Sequence, residues 1–120
     1  MKKYNLNFTL MEMAELVYAC NHAIDREHRN FLRILRENGN AIRTLENTRE
    51  KILVALSEDN YHVELDLMEM IQLYAAVNMA WHYECAEKEK QNTDCRLIQY
   101  GKSIAALEDA REKILVALNK

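Results

Sequence analysis

Proline is absent from the chain and glycine occurs only twice. The phosphate-cradling loops and strained turns behind most recognisable enzyme motifs therefore have almost no raw material. Three cysteines, Cys20, Cys85 and Cys95, are odd in number and form no Cys-x-x-Cys pair, which excludes a disulfide framework and a zinc finger. No apolar run approaches the roughly 20 residues of a membrane span. Met-Lys-Lys leads into Tyr4, Asn5, Leu6 and Asn7 rather than an apolar signal core, so a cytoplasmic protein is expected. What is present is a 120-residue chain, 49% hydrophobic and 29% charged, with a formal charge of −3. A chain of that length buries roughly two-thirds of its unfolded surface, enough for a core that needs no metal or cofactor. One domain spanning 1–120 is expected.

The sequence repeats itself. Leu45-Glu46-Asn47-Thr48-Arg49-Glu50-Lys51-Ile52-Leu53-Val54-Ala55-Leu56 returns as Leu107-Glu108-Asp109-Ala110-Arg111-Glu112-Lys113-Ile114-Leu115-Val116-Ala117-Leu118, a shift of 62 residues. Leu10-Met11-Glu12-Met13 returns as Leu67-Met68-Glu69-Met70 at a shift of 57, and Leu16/Leu73, Ala19/Ala76, Asn21/Asn78, Ala23/Ala80 and Glu27/Glu84 continue the match. Two copies, 1–58 and 59–120, are implied, the second with an insertion between Glu84 and Gly101. Two units are too few for a solenoid and suit a pseudo-twofold pair sharing one core.

Each copy opens with period-2 alternation, Tyr4, Leu6 and Phe8 in the first and Tyr61, Val63 and Leu65 in the second, the pattern of a half-buried strand. A lone strand leaves its backbone unsatisfied, so the strands at about 4–8 and 61–65 should pair antiparallel. Capping boxes follow, Thr9-x-x-Glu12 and Asp66-x-x-Glu69, predicting helices from Leu10 and Leu67. The apolar series Leu10, Met13, Val17, Cys20, Ile24, Phe31, Leu35 and Leu67, Met70, Tyr74, Val77, Trp81, Cys85 has the spacing of one buried helix face. The first hairpin turns at Asn38-Gly39 or at Arg29-Asn30. Gln91 to Asp94 ends one helix and caps the next. Closing helices are predicted over about 41–56 and 95–118. Each ends in Ile-Leu-Val-Ala-Leu, which should be covered on more than one side. The expected fold is mainly α, an internally duplicated βαα unit forming a four-helix bundle of two helical hairpins with a small two-stranded antiparallel sheet.

Asp25-x-x-His28 has the acid-x-x-His spacing of helical metal sites, and His82-x-x-Cys85 is its equivalent, with Asn21 and Asn78 one turn earlier. The two sets differ in identity and no second buried Glu pair accompanies them, so no metal site is expected. Cys20, His22 and Asp25, or His82, Glu84 and Cys85, supply the residue types of a nucleophile with its base. Residues two or three apart on one helix rarely aim at a common substrate atom, and structural thiols are the better reading. Met13 and Met70 fit the core seam, while Met11 and Met68 lie off it and should touch the strand pair.

Arg26, Arg29, Arg33 and Arg36 are spaced 3, 4 and 3, one stripe of the first helix if it reaches Glu37, and the second copy has nothing like it. Residues 26–51 carry a balance of +3, whereas 58–94 carry −7. Arginine's planar fork suits bidentate contact with carboxylate or phosphate. These four residues are the candidate partner-binding face. The expected function is a non-enzymatic interaction protein presenting helix faces to a larger, acidic protein partner, as a small inhibitor or adaptor. The alternative is a binder of phosphate-bearing ligands, nucleic acid or nucleotide, through the Arg stripe; a carboxylate/His metal-site protein comes third. Either a monomer with a pseudo-twofold or a homodimer fits.

Overall fold

The computed structural model describes residues 2–29, 39–90 and 94–120. The described chain is mainly helical, with four helices and one two-stranded antiparallel sheet. In chain order these are β1 (Lys3–Asn7), α1 (Leu10–Arg29), α2 (Gly39–Ser57), β2 (His62–Asp66), α3 (Leu67–Glu89) and α4 (Asp94–Leu118). None of the described helices is long and apolar enough to cross a membrane.

Both strands pair as the alternation requires, with Leu6 opposite Val63 and Tyr4 opposite Leu65. Leu6, Phe8, Val63 and Leu65 are buried, while Asn5, Asn7, His62 and Glu64 face solvent. Both capping boxes form. The Thr9 N–H donates to Glu12 Oε1 at 2.7 Å and the Glu12 N–H to Thr9 Oγ1 at 3.1 Å. The Asp66 N–H donates to Glu69 Oε1 at 3.0 Å and the Glu69 N–H to Asp66 Oδ1 at 2.8 Å, so the orphan amides that open α1 and α3 are satisfied locally. The bond from the Glu69 amide is the main reason the Asp66 carboxyl lies below its usual value.

With glycine scarce, α2 stops by other means. Asp59 adopts φ 51°, and the Asp59 and Asn60 N–H groups donate to the Leu56 and Ala55 carbonyls at 3.2 and 2.8 Å. That is the left-handed stop usually given to glycine, which the short polar Asp side chain tolerates. α2 opens at Gly39, two residues ahead of the predicted start. Gly101 lies inside α4, as its position implied. The first hairpin connection, with Asn30 and Asn38, falls outside the described residues, as do Phe31, Leu35 and Gln91 to Thr93.

α1 and α3 occupy the centre: α1 contacts α2, α3 and α4, and α3 contacts α1, α2 and α4. β1 lies against α4 and β2 against α2. Met13, Leu16 and Cys20 of α1 meet Met70, Leu73 and Val77 of α3 in one core with Leu45 and Ile52 of α2 and Leu107 and Ile114 of α4. Burying each of these larger aliphatic side chains contributes about 1.5–3 kcal/mol. Two ion pairs tie helix ends together across the sequence. Lys51 Nζ on α2 reaches Glu69 at 2.7 Å, and Lys113 Nζ on α4 reaches Glu12 at 2.6 Å.

Three expectations about burial are corrected. Leu10 and Leu67, placed on the buried seam by spacing, are 59% and 46% exposed, and Leu16 and Leu73 are buried instead. Met11 and Met68 are likewise exposed, with about half their surface open. The Ile-Leu-Val-Ala-Leu ends are covered on one face, since Ile52, Ala55 and Ile114 are buried while Leu53, Val54 and Val116 are exposed. An amphipathic helix at the surface of a small domain buries a stripe about 100° wide, and the rest of these ends lies outside it.

Candidate functional site

Toward their C-terminal ends α1 and α3 border a cleft of about 670 Å³, lined by His22, Asp25 and Arg26 of α1 and by Met79, His82 and Tyr83 of α3. The His22 ring stands 4.9 Å from that of Tyr83 and 6.1 Å from that of Tyr18. His22 Nδ1 is buried without a hydrogen-bond partner among the described residues. Trp81 is anchored just outside by Glu108, which accepts its indole N–H at 2.9 Å, and by the Arg111 guanidinium 5.1 Å from its ring centre.

Of the Arg stripe, Arg26 is exposed and lines this cleft. Arg29 is the last residue of α1, and its side chain lies outside the described residues. Arg33 and Arg36 also lie outside them, as does a continuation of α1 to Glu37. Asp25 and His82, one from each candidate metal pair, line the same cleft. Among the described residues no group of three His, Cys, Asp or Glu side chains is arranged to hold a metal ion, and the side chain of His28 is not among them. Cys20 is buried in the core while His22 and Asp25 line the cleft, so the first Cys/His/Asp set does not converge. Burial pushes the Cys20 thiol up to about 12, and burial followed by the charge of Glu108 raises that of Cys85. Neither thiol is activated, because the thiolate is the nucleophile.

A second polar cluster escaped the sequence reading. Ser103 of α4 donates its hydroxyl to Glu15 Oε1 of α1 at 2.9 Å, and the Tyr18 hydroxyl bonds the buried carboxylate of Glu84 on α3. Burial raises the Glu15 carboxyl; the Ser103 bond opposes this and the charge of Glu84 adds to it. Burial, then the bond to Glu84, raises the Tyr18 hydroxyl, which keeps its proton as donor. A carboxyl raised on folding stabilises the protein below its unfolded value of 4.5 and loses that contribution as pH rises through the folded value. Glu15→Gln should therefore be at least as stable as the wild type at neutral pH. Thermal midpoints followed from neutral pH down to 4.5 should rise more for the wild type than for the variant; parallel profiles would contradict the assignment.

The exposed apolar residues form the third feature. From Leu67 to Tyr83 α3 has one charged residue, Glu69, and that one is buried. Its core side takes Met70, Leu73, Ala76, Val77 and Ala80, while Leu67, Met68, Ile71 and Ala75 are exposed. This stripe leads along the helix toward Met79 in the cleft. α1 exposes Leu10, Met11 and Ala14 in its own first turns. The readable signal was the absence of charge over 17 residues of α3: a helix apolar all round needs cover on more than one side. Compared with family models, with curated proteins and with solved structures, the chain matches none.

Proposed function

We propose that this is a non-enzymatic interaction protein that presents helix faces to a larger protein partner, as a small inhibitor or adaptor would. The observation that carries the reading is the exposed side of α3, Leu67, Met68, Ile71 and Ala75, on a helix with no exposed charge over its first 17 residues. Apolar surface left open on a helix is characteristic of recognition through i, i+4 anchors. Arg26, at the cleft into which this stripe leads, adds the charged contact for an acidic partner.

The bundle that holds this face is a duplicated βαα unit folded about a pseudo-twofold. In support, Lys51 and Lys113, 62 positions apart, each bind one of the capping glutamates Glu69 and Glu12, 57 positions apart. Arg49 donates to Asn21 at 2.8 Å and Arg111 to Asn78 at 3.3 Å in the same relation. The cleft fits this symmetry, since His22, Asp25 and Arg26 correspond to Met79, His82 and Tyr83 at the shift of 57. A monomer then suffices to close the core.

The test compares wild type with Met68→Glu/Ile71→Glu in quantitative capture from a lysate of the source cells. Both positions are exposed, so each change should shift stability by no more than about 0.5 kcal/mol. Capture should fall at least tenfold, a loss of about 1.4 kcal/mol. Equal capture by both proteins would overturn the reading. Arg26 beside His22 and His82 favours a second reading, binding of a phosphate-bearing ligand in the cleft. ATP and a single-stranded oligonucleotide, titrated at two salt concentrations against wild type and Arg26→Gln, separate the two. Phosphate binding should weaken steeply with salt and be lost with Arg26.

A further inference from the structure

We infer that the outer edge of β1, with the groove it forms against α4, is a docking site for an extended acidic peptide that adds to the sheet as a third strand. This surface stands apart from the α3 face and does not depend on it.

The register decides which backbone groups are open. Phe8 N–H donates to the Tyr61 carbonyl at 2.9 Å, so Phe8 and Tyr61 are a hydrogen-bonded pair, and the alternate pairs Leu6/Val63 and Tyr4/Leu65 share that pattern. The intervening Asn5 and Asn7 therefore direct their N–H and C=O groups away from β2. Among the described residues nothing bonds those groups. The corresponding edge of β2 is partly closed, because the His62 N–H is taken by Asn60 Oδ1 at 3.1 Å and the Asp66 N–H by Glu69. An open ladder of this kind is a template for a further strand.

The groove beside it sets the chemistry of the occupant. It measures about 320 Å³, with Leu6, Val116 and Ala117 as its apolar lining; Lys113 in its wall is already held by Glu12, which leaves Lys120 against Glu112 as its open charges. Lys2 and Lys3 start the same edge, and Lys2 Nζ lies 3.5 Å from the Lys120 carbonyl. The groove beside β2 is of opposite character, with Glu50, Glu58 and Glu64 against Lys51. The excess of positive charge here comes from Lys2, Lys3 and Lys120, and on a chain of net charge −3 such an edge selects acidic segments. In a strand paired to β1, alternate side chains face the same way, so one set meets Val116 while acidic neighbours lie within the field of the lysines.

The probe is a fluorescein-labelled peptide of alternating valine and glutamate, with its valine–lysine counterpart as control. Binding is followed by anisotropy, and amide exchange is read by NMR on the unmodified protein. The acidic peptide should bind and the basic one should not, with the Asn5 and Asn7 amides gaining protection. Asn5→Pro removes the outward N–H without touching the ladder to β2 and should weaken binding at least tenfold. Asn5→Ala keeps the N–H while losing the side-chain contact of 3.0 Å to His62 Nε2, and should bind like the wild type. Failure of the acidic peptide to bind, equal binding of both peptides, protection at Glu64 instead, or full binding by a folded Asn5→Pro would each overturn the proposal. So would protection of Asn5 and Asn7 by self-association at rising protein concentration, since the occupant would then be a second copy. Should Asn5→Pro not fold, amide exchange on the wild type decides.

Discussion

Val63→Asp is expected to unfold the protein at room temperature or bring it to the edge of unfolding. Val63 is 3% exposed and sits opposite Leu6, with Leu65 and Phe8 buried nearby. Lys51, the cation that lines the same groove, is already held by Glu69, and an unpaired buried charge costs several kcal/mol, about 4 or more in sites of this kind. Total stabilities of small domains are only about 5–15 kcal/mol. Urea titration followed by circular dichroism should show the midpoint collapse, while Glu64→Gln, one residue along on the solvent side, should stay within about 0.5 kcal/mol of the wild type. Acidification should partly rescue Val63→Asp, because the neutral acid is cheaper to bury than the ion and the folded state then binds the extra proton. An unchanged midpoint would mean that the strand pair is not part of the cooperative core.

The second large effect concerns the two ion pairs. The Glu69 and Glu12 side chains are 6% and 5% exposed, whereas Lys51 and Lys113 are about 40% exposed. Lys51→Met keeps most of the apolar stem but strands the Glu69 carboxylate, which keeps its cap bond to the Asp66 N–H. The expected loss is about 1–2 kcal/mol, the lower part of the range for charged hydrogen bonds because solvent reaches the lysine. Lys113→Met should cost a similar amount, and the double variant about the sum, since the pairs join different helix ends. Adding Glu69→Gln to Lys51→Met should recover part of the loss, as removing both charges spares the stranded one. A cycle with no coupling between Lys51 and Glu69 would show that the contact adds nothing to stability.

Much of the local architecture was legible because its causes lie within a few residues. Thr9 with Glu12 and Asp66 with Glu69 announce helix starts by satisfying amides three positions away, and both helices begin at the predicted residues. Period-2 alternation placed β1 and β2 to within one residue. The Asp59 stop was not anticipated, since its signature is a positive φ and not a residue type that demands one. Face assignment failed where two stripes compete. Leu10 and Leu16 both fit a 3–4 series, and spacing cannot say which one meets a neighbour. The same ambiguity left Met11, Met68, Leu53 and Val54 assigned to cover that the fold does not supply.

By itself the sequence determined the element types, the helix starts, the strand alternation and the recurrence of one pattern at shifts of 57 and 62. Each follows from short-range sterics and from backbone groups satisfied by near neighbours. Tertiary structure alone decided that Lys51 meets Glu69 and Lys113 meets Glu12, that Glu15, Tyr18, Glu84 and Ser103 share one cluster, and that Arg26 faces a cleft with His22 and His82. It also decided that the β1 edge stays open while the His62 amide on β2 is taken. Those outcomes depend on how helices and strands far apart in the chain sum their weak apolar contacts, and no window of sequence a few residues wide contains that sum.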